Sequence, residues 1–244
     1  MKIISPNLNI MIKACEKASK VLIRDFGEIE NLQVSKKGPR DFVTNSDKKV
    51  EKILIKELSL KKFSIISEEV GTVIRQNKES FWIIDPIDGT TNFLHGVPHF
   101  AISIALKSQD EIISGLIFDP IKNEMFYAEK DNGAFFNNQR IRVSKKKKIE
   151  ECLFGTGGKS DINFNLITRK SGSAALDMAY VGSGRYDGYF QKNLNIWDIA
   201  AGIIIVKEAG GKINDIKYTV DKEIKILAGS NSIYDKMLEK LINF

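Results

Sequence analysis

The run Phe81-Trp82-Ile83-Ile84 constrains this chain most. It is apolar at every position and reads as a buried strand. Asp85-Pro86-Ile87-Asp88 follows at once, then Gly89-Thr90-Thr91, a turn suited to opening a helix. The strand thus delivers two carboxylates three residues apart, where a hard cation binds. Beside them lie the free N–H groups of a helix start, where a phosphate binds. Cation and phosphate at one point suggest metal-assisted phosphoryl chemistry.

The 244 residues are 43% hydrophobic and 28% charged, an ordinary globular balance. That length suits one large core or two fused subdomains. No apolar run approaches the ~20 residues of a membrane span, and Met1 to Asn9 lacks the pattern of a secretory signal. The expectation is a chain without membrane partners. Cys15 and Cys152 are too far apart in sequence to suggest a disulfide framework, so they read as packing residues of a cytoplasmic protein. The net charge of +6 is compatible with nucleic acid, anionic lipid or anionic small substrates. Its densest run, Lys145 to Lys148, has no interleaved aromatics and reads as a solvated connector.

Helical spacing of Leu8, Met11, Cys15, Ala18, Leu22 and Phe26 predicts a helix from Ser5-Pro6 to Gly27. After a break at Gly38-Pro39, a second helix is expected over 46–60, with Thr44, Ser46 or Asp47 as its cap. Strands follow at 63–67, 81–84, 100–106, 112–118 and 125–128. A hairpin over 133–143 turns at Asn137-Asn138. Short loops between these strands suggest an antiparallel sheet. Beyond the lysine run, strands at 153–154, 187–190, 212–216 and 224–228 alternate with helices at 172–182, 197–209 and 231–242. An α+β half, residues 1–146, therefore precedes an α/β half, residues 147–244, within one compact unit.

Four acidic elements stand out: Glu68-Glu69 after an apolar strand, the Asp85 and Asp88 pair, Asp198 beside Trp197, and Asp47 at a helix start. Each has a simpler reading alone, as a solvated strand end, a turn, a helix-dipole charge or a cap. Together they favour a cation, because clustered carboxylates repel unless neutralised. Magnesium suits such a site: it takes oxygen ligands and is completed by a substrate phosphate. Three other patterns fail. Gly155-Thr156-Gly157-Gly158-Lys159-Ser160 lacks the first glycine of a P-loop, since position 153 is leucine. Gly182-Ser183-Gly184 follows a helix and lacks the third glycine of a dinucleotide fingerprint. His95 and His99 are separated by Pro98, which disfavours a metal-binding helix.

The segments 41–47, 66–69, 82–93, 172–177 and 197–211 resemble the magnesium-dependent, lithium-sensitive inositol monophosphatases over nearly the whole chain. The resemblance implies a layered α-β-α-β-α sandwich and a homodimer. It implies two or three magnesium ions held by Glu68, Asp85, the Ile87 carbonyl, Asp88 and Asp198. It makes Glu68, Asp47 and Thr90 the catalytic set, with Asp47 and Thr90 as a hydrogen-bonded pair near the attacking water. It assigns phosphate and alcohol contacts to Glu68, Ile87, Asp88, Gly89, Thr90, Arg169, Gly172, Ser173, Ala174, Gln191 and Asp198. The implied reaction is hydrolysis of myo-inositol monophosphates by direct attack of a metal-activated water.

One position departs from that pattern. Many relatives carry a glutamate where this chain has the uncharged Gln191, which leaves the leaving alcohol open. Histidinol phosphate, a sugar phosphate, a nucleotide 3′-phosphate or NADP are alternatives within the same fold. The basic charge and the resemblance to bacterial members that bind the transcription machinery add a transcription-complex or RNA contact as a role beside catalysis.

Overall fold

A computed structural model describes residues 4–29, 34–36, 42–157, 166–216 and 224–241. Gly38-Pro39, Asp41 and Gly158-Lys159-Ser160 lie outside the described residues, as does the end of the 231–242 helix. The elements run α1 (Pro6–Gly27), β1 (Val34–Lys36), β2 (Phe42–Thr44), α2 (Asn45–Leu58), β3 (Phe63–Ser67), β4 (Gly71–Val73) and β5 (Asn77–Asp88). Next come α3 (Thr90–Leu94), β6 (Ala101–Ser108), β7 (Glu111–Asp119), β8 (Glu124–Glu129), β9 (Gly133–Phe136) and β10 (Gln139–Arg140). The chain then forms β11 (Leu153–Thr156), β12 (Ile167–Arg169), α4 (Ala174–Gly182), β13 (Gly188–Leu194), α5 (Ile196–Glu208), β14 (Gly211–Ile213), β15 (Ile224–Ser230) and α6 (Asn231–Lys240).

These elements stack as a layered α-β-α-β-α sandwich. An eight-stranded sheet has the order β10-β9-β8-β7-β6-β5-β3-β4, and a five-stranded sheet the order β12-β11-β13-β15-β14. Helices α1 and α2 cover the outer face of the first sheet, α4 and α5 lie between the sheets, and α6 covers the far face of the second. Residue patterns account for this order. Helix α1 buries one stripe, Leu8, Met11, Cys15, Ala18 and Leu22, as an outer-layer helix should. Its start is fixed by Ser5, whose hydroxyl accepts from Leu8 N–H at 3.1 Å, and by Pro6 in the first turn. Helix α5 is apolar all round, from Ile199 to Val206, because it has a sheet on each side. Small residues on the inner sheet face let it approach closely: a Cβ on Gly115 would stand 2.5 Å from Ile204 Cγ2 and 2.7 Å from the Ala201 carbonyl.

Strand alternation then sorts side chains between layers. Ile83 faces the central core, while Trp82 and Ile84 face α1 and α2. Tyr189 faces the centre and Phe190 faces α6. Burying each such Leu, Ile or Phe stabilises by roughly 1.5–3 kcal/mol.

Several expectations need correction. The first sheet is not wholly antiparallel: β3 and β5 run parallel, joined through β4 and a loop. Strands β4 and β12 and the β1–β2 pair carry too few apolar residues to stand out. Ser46 does not cap α2, which begins at Asn45; its hydroxyl donates instead to buried Asp25 at 2.7 Å. The 133–143 hairpin turns at Asn137 and Asn138, both with positive φ, but its second strand ends at Arg140. Lys146 is held by Asp187 at 3.0 Å, and Lys148 by Glu151 at 3.1 Å.

Candidate active site

The site begins with a fault in β5. Asp85 pairs with Ser103 and Asp88 with Ala101, so three steps along β5 match two along β6. Pro86 has no N–H to give the ladder, and a bulge is where a sheet tolerates it. On a regular strand, residues three apart face opposite sides. The extra residue restores parity and turns both carboxylates toward the central layer. Asp85 Oδ1 accepts from the Ile87 N–H at 3.0 Å, which closes the bulge.

Parallel pairing of β3 with β5 brings a third carboxylate alongside. Ser67 is level with Ile84, and Glu68 N–H donates to the Ile84 carbonyl at 3.3 Å. The turn beyond it is gripped by Glu51 of α2, a buried carboxylate that accepts from the Ser67 hydroxyl and from the N–H groups of Glu69 and Val70, both at 3.1 Å. Glu51 escaped the sequence reading, although it sits on the buried stripe of α2 with Val50, Leu54 and Leu58.

Asp88 meets the start of α4. Its Oδ2 accepts from the Ser173 hydroxyl and from Ala175 N–H at 2.9 Å, and its Oδ1 from Ala174 N–H at 3.3 Å. Ser173 also caps α4, accepting from Leu176 N–H at 3.2 Å. Gly172 reaches this cap with φ +86°, and Gly89 opens α3 with φ +95°. Between them Asn92 donates to the carbonyls of His99 and Ser171 at 2.8 and 2.9 Å, tying the β5–α3 turn to the α4 loop. Asn92 lay inside the motif but had no role assigned to it.

Asp198 enters from α5. A capping box with Asn195 fixes it, its Oδ2 accepting the Asn195 N–H at 2.7 Å. Asp47, in the first turn of α2, is buried on the other flank. The electrostatics confirm that these groups share one region. The Asp85 carboxyl is pushed well above the usual carboxylate range by burial first, then by Glu68, Asp88, Asp198 and Asp47. Burial raises Asp88 to about 6 against the pull of its hydrogen bonds to Ser173, Ala175 and Ala174. Burial and then Asp88 raise Asp198 to about 7.

Among the described residues, no three acidic, His or Cys side chains are gathered closely enough to grip a metal ion as they stand. Asp85, Asp88 and Asp198 each accept from a protein N–H or hydroxyl. The residues nonetheless fit a hard cation. Their donors are all oxygen, and their raised proton affinities come from burial first and, at Asp85 and Asp198, from neighbouring carboxylates, both of which a divalent cation would offset.

The remaining candidates lie around this centre. Ile87 is buried, and its carbonyl accepts the Thr90 hydroxyl at 2.9 Å. Arg169 is exposed on β12 and donates to the Thr168 carbonyl at 3.0 Å. Gln191 is half-buried on β13, its amide oxygen accepting the Tyr189 hydroxyl at 2.6 Å. Asp177, one turn into α4, is 1% exposed, and its carboxyl is pushed up to about 8. Tyr189 and Asp177 were missed because nothing local marks a core tyrosine or helix aspartate as polar neighbours of a distant strand.

Bulged strand, helix starts and buried carboxylates define a layered α/β protein with an acidic centre at the junction of its first sheet and central helices. The Inositol monophosphatase family matches residues 4–243, and the chain belongs to that family. It is 43% identical over 225 residues to the inositol-1-monophosphatase of Rhizobium meliloti, covering 85% of each chain. It is 38% identical to the Nus factor SuhB of Xylella fastidiosa, covering 87% of this chain and 82% of that one. The crystal structure of the extragenic suppressor protein suhB from Bartonella henselae superposes with a TM-score of 0.91, at 44% identity over 97% of this chain and 98% of that chain.

Proposed function

We propose that the chain is a metal-dependent phosphomonoesterase that hydrolyses myo-inositol monophosphates to inositol and phosphate. The observation that carries this reading is the elevation of Asp85, by burial first and then by the charges of Glu68, Asp88, Asp198 and Asp47, in an all-oxygen site. Two or three magnesium ions, held by Glu68, Asp85, the Ile87 carbonyl, Asp88 and Asp198, would neutralise the phosphoryl oxygens and acidify the attacking water. The chain's own groups do the rest. Glu68, or Thr90 with Asp47, accepts the proton of the attacking water. The N–H groups of Gly89 and Thr90 receive the phosphate, supported by the left-handed turn at Gly89. Ser173 and the start of α4 hold Asp88 in one orientation, so little reorganisation accompanies attack. Gly172, Ser173, Ala174, Arg169 and Gln191 flank the leaving alcohol.

The test is phosphate release from inositol 1-phosphate with and without magnesium, in wild type and D88N. Release that needs magnesium and falls at least ~100-fold in D88N, with an unchanged circular dichroism spectrum, is expected. No release from any small monoester in the presence of magnesium would sink the reading. The family name and the relative from Rhizobium meliloti support inositol phosphates over other monoesters. A homodimer, a cytoplasmic location and a contact with the transcription complex belong to the same proposal. The last draws on the relative named Nus factor. Direct RNA contact through Lys145 to Lys148 is the weaker part, because Lys146 and Lys148 already pair with Asp187 and Glu151. Among the described residues no helix is long and apolar enough to cross a membrane.

A further inference from the structure

Glu68 rides on a turn that buries little apolar surface. Strand β3 ends at Ser67, and residues 68–70 lead the chain into β4. That strand is three residues long, lies at the edge of the eight-stranded sheet and pairs with β3. Val70, Thr72 and Val73 are exposed. The tie to the body of the molecule is Glu51, itself only 3% exposed. Its Oε1 accepts from the Ser67 hydroxyl and from the N–H groups of Glu69 and Val70. Those N–H groups belong to the two peptide planes that flank Glu69, and the first of them carries the Glu68 carbonyl. On its other side, Glu68 N–H donates to the Ile84 carbonyl at 3.3 Å. Glu68 is thus pinned by β5 before it and by α2 after it. Glu51 follows Asp47 by one helical turn on the buried face of α2, which packs on the sheet through Val50, Leu54 and Leu58. The turn therefore takes its position from a rigid helix that also brings Asp47 to the site.

We propose that Glu51 is a positioning residue: it fixes the backbone from which Glu68 projects, and through Glu68 sets how tightly the chain holds magnesium. This rests on the magnesium-dependent reading of the site. The role needs an oxygen acceptor at position 51, not a negative charge. Glutamine keeps the oxygen and loses the charge, while alanine loses both. Glu51 also lines a cavity of about 410 Å³ with Lys48, Lys52, Ile55, Glu69 and Val70, where water can meet the amide nitrogen of a glutamine. A carboxylate acting on the cation only through its field would lose as much in glutamine as in alanine.

Calorimetric titration of the metal-free protein with magnesium, in the absence of substrate, separates these cases. E51A is expected to weaken magnesium binding roughly tenfold. S67A removes the hydroxyl donor and leaves the N–H pair, so it is expected to weaken binding by less. E51Q is expected to stay close to wild type. Hydrogen exchange at the Glu69 and Val70 N–H groups gives a second readout. It is expected to quicken on the order of tenfold in E51A and to stay slow in E51Q. L58A controls for general loosening, since it removes packing two turns further along the same face of α2. It is expected to lower the melting temperature and leave magnesium affinity unchanged. E51A binding magnesium as tightly as wild type would overturn the proposal. So would E51Q losing as much affinity as E51A, or L58A losing as much as E51A. Wild type that binds no magnesium would instead remove the magnesium-dependent reading, and this proposal with it.

Discussion

At the scale of single residues, the acidic side chains do two kinds of work. Asp88 and Asp198 each cap or brace a helix start while standing in the candidate centre. The sequence showed those positions and could not show the double use. Asp177 is different: its Oδ1 accepts no hydrogen bond, and burial holds its carboxyl near pH 8 with Asp88 adding to the shift. Its folded proton affinity is raised above the unfolded value of about 4. The folded state therefore binds the extra proton, and wild-type stability falls as pH rises from about 4 to about 8. Asparagine has no such proton to lose. D177N is expected to melt with wild type near pH 4 and to rise above it by on the order of 10 °C by pH 8. Thermal melts across that range check this; a gap independent of pH would show that the titration of Asp177 is not its source.

At the scale of elements, the strand-to-helix junctions matter most. The β5 bulge at Pro86 turns Asp85 and Asp88 to one side, and the parallel β3–β5 pair ends β3 at Ser67, level with Ile84, just before Glu68. Only the apolar run and the Asp-Pro-Ile-Asp spacing were legible beforehand. A bulge depends on how the partner strand registers, and β6 follows only after an intervening helix. The approach of α5 to the sheet is equally non-local. It needs Gly115 on β7 opposite Ala201 and Ile204, residues some ninety positions later. G115A is expected to destabilise by about 1–3 kcal/mol, by urea titration, because the added methyl meets backbone that cannot step aside. Since α5 carries Asp198, phosphate release should fall with it. A variant as stable and active as wild type would show that helix and sheet have room to part.

At the scale of the whole molecule, the central helices α4 and α5 share one core with both sheets. Ile83, Ala105 and Phe126 of the first sheet and Tyr189, Ile226 and Ala228 of the second pack around the same Ile and Ala side chains. Neither sheet keeps that face covered without the helices between them. Unfolding is therefore expected as one transition: fluorescence from Trp82, buried beneath α1 and α2, and from Trp197, packed against the central core, should change together with far-ultraviolet dichroism. Two separated transitions would show that the halves fold apart. What the sequence by itself determined was local: the longer helices and strands, and that carboxylates follow apolar strands. Those features follow from periodicity, capping and turn chemistry within a few residues. The tertiary structure alone decided that β3 and β5 run parallel and that α4 rather than solvent receives Asp88. It also decided that Gln191 lies over Gly157. Each of these depends on groups tens of residues apart being packed to within a few ångströms, where burial removes the water that would otherwise satisfy them.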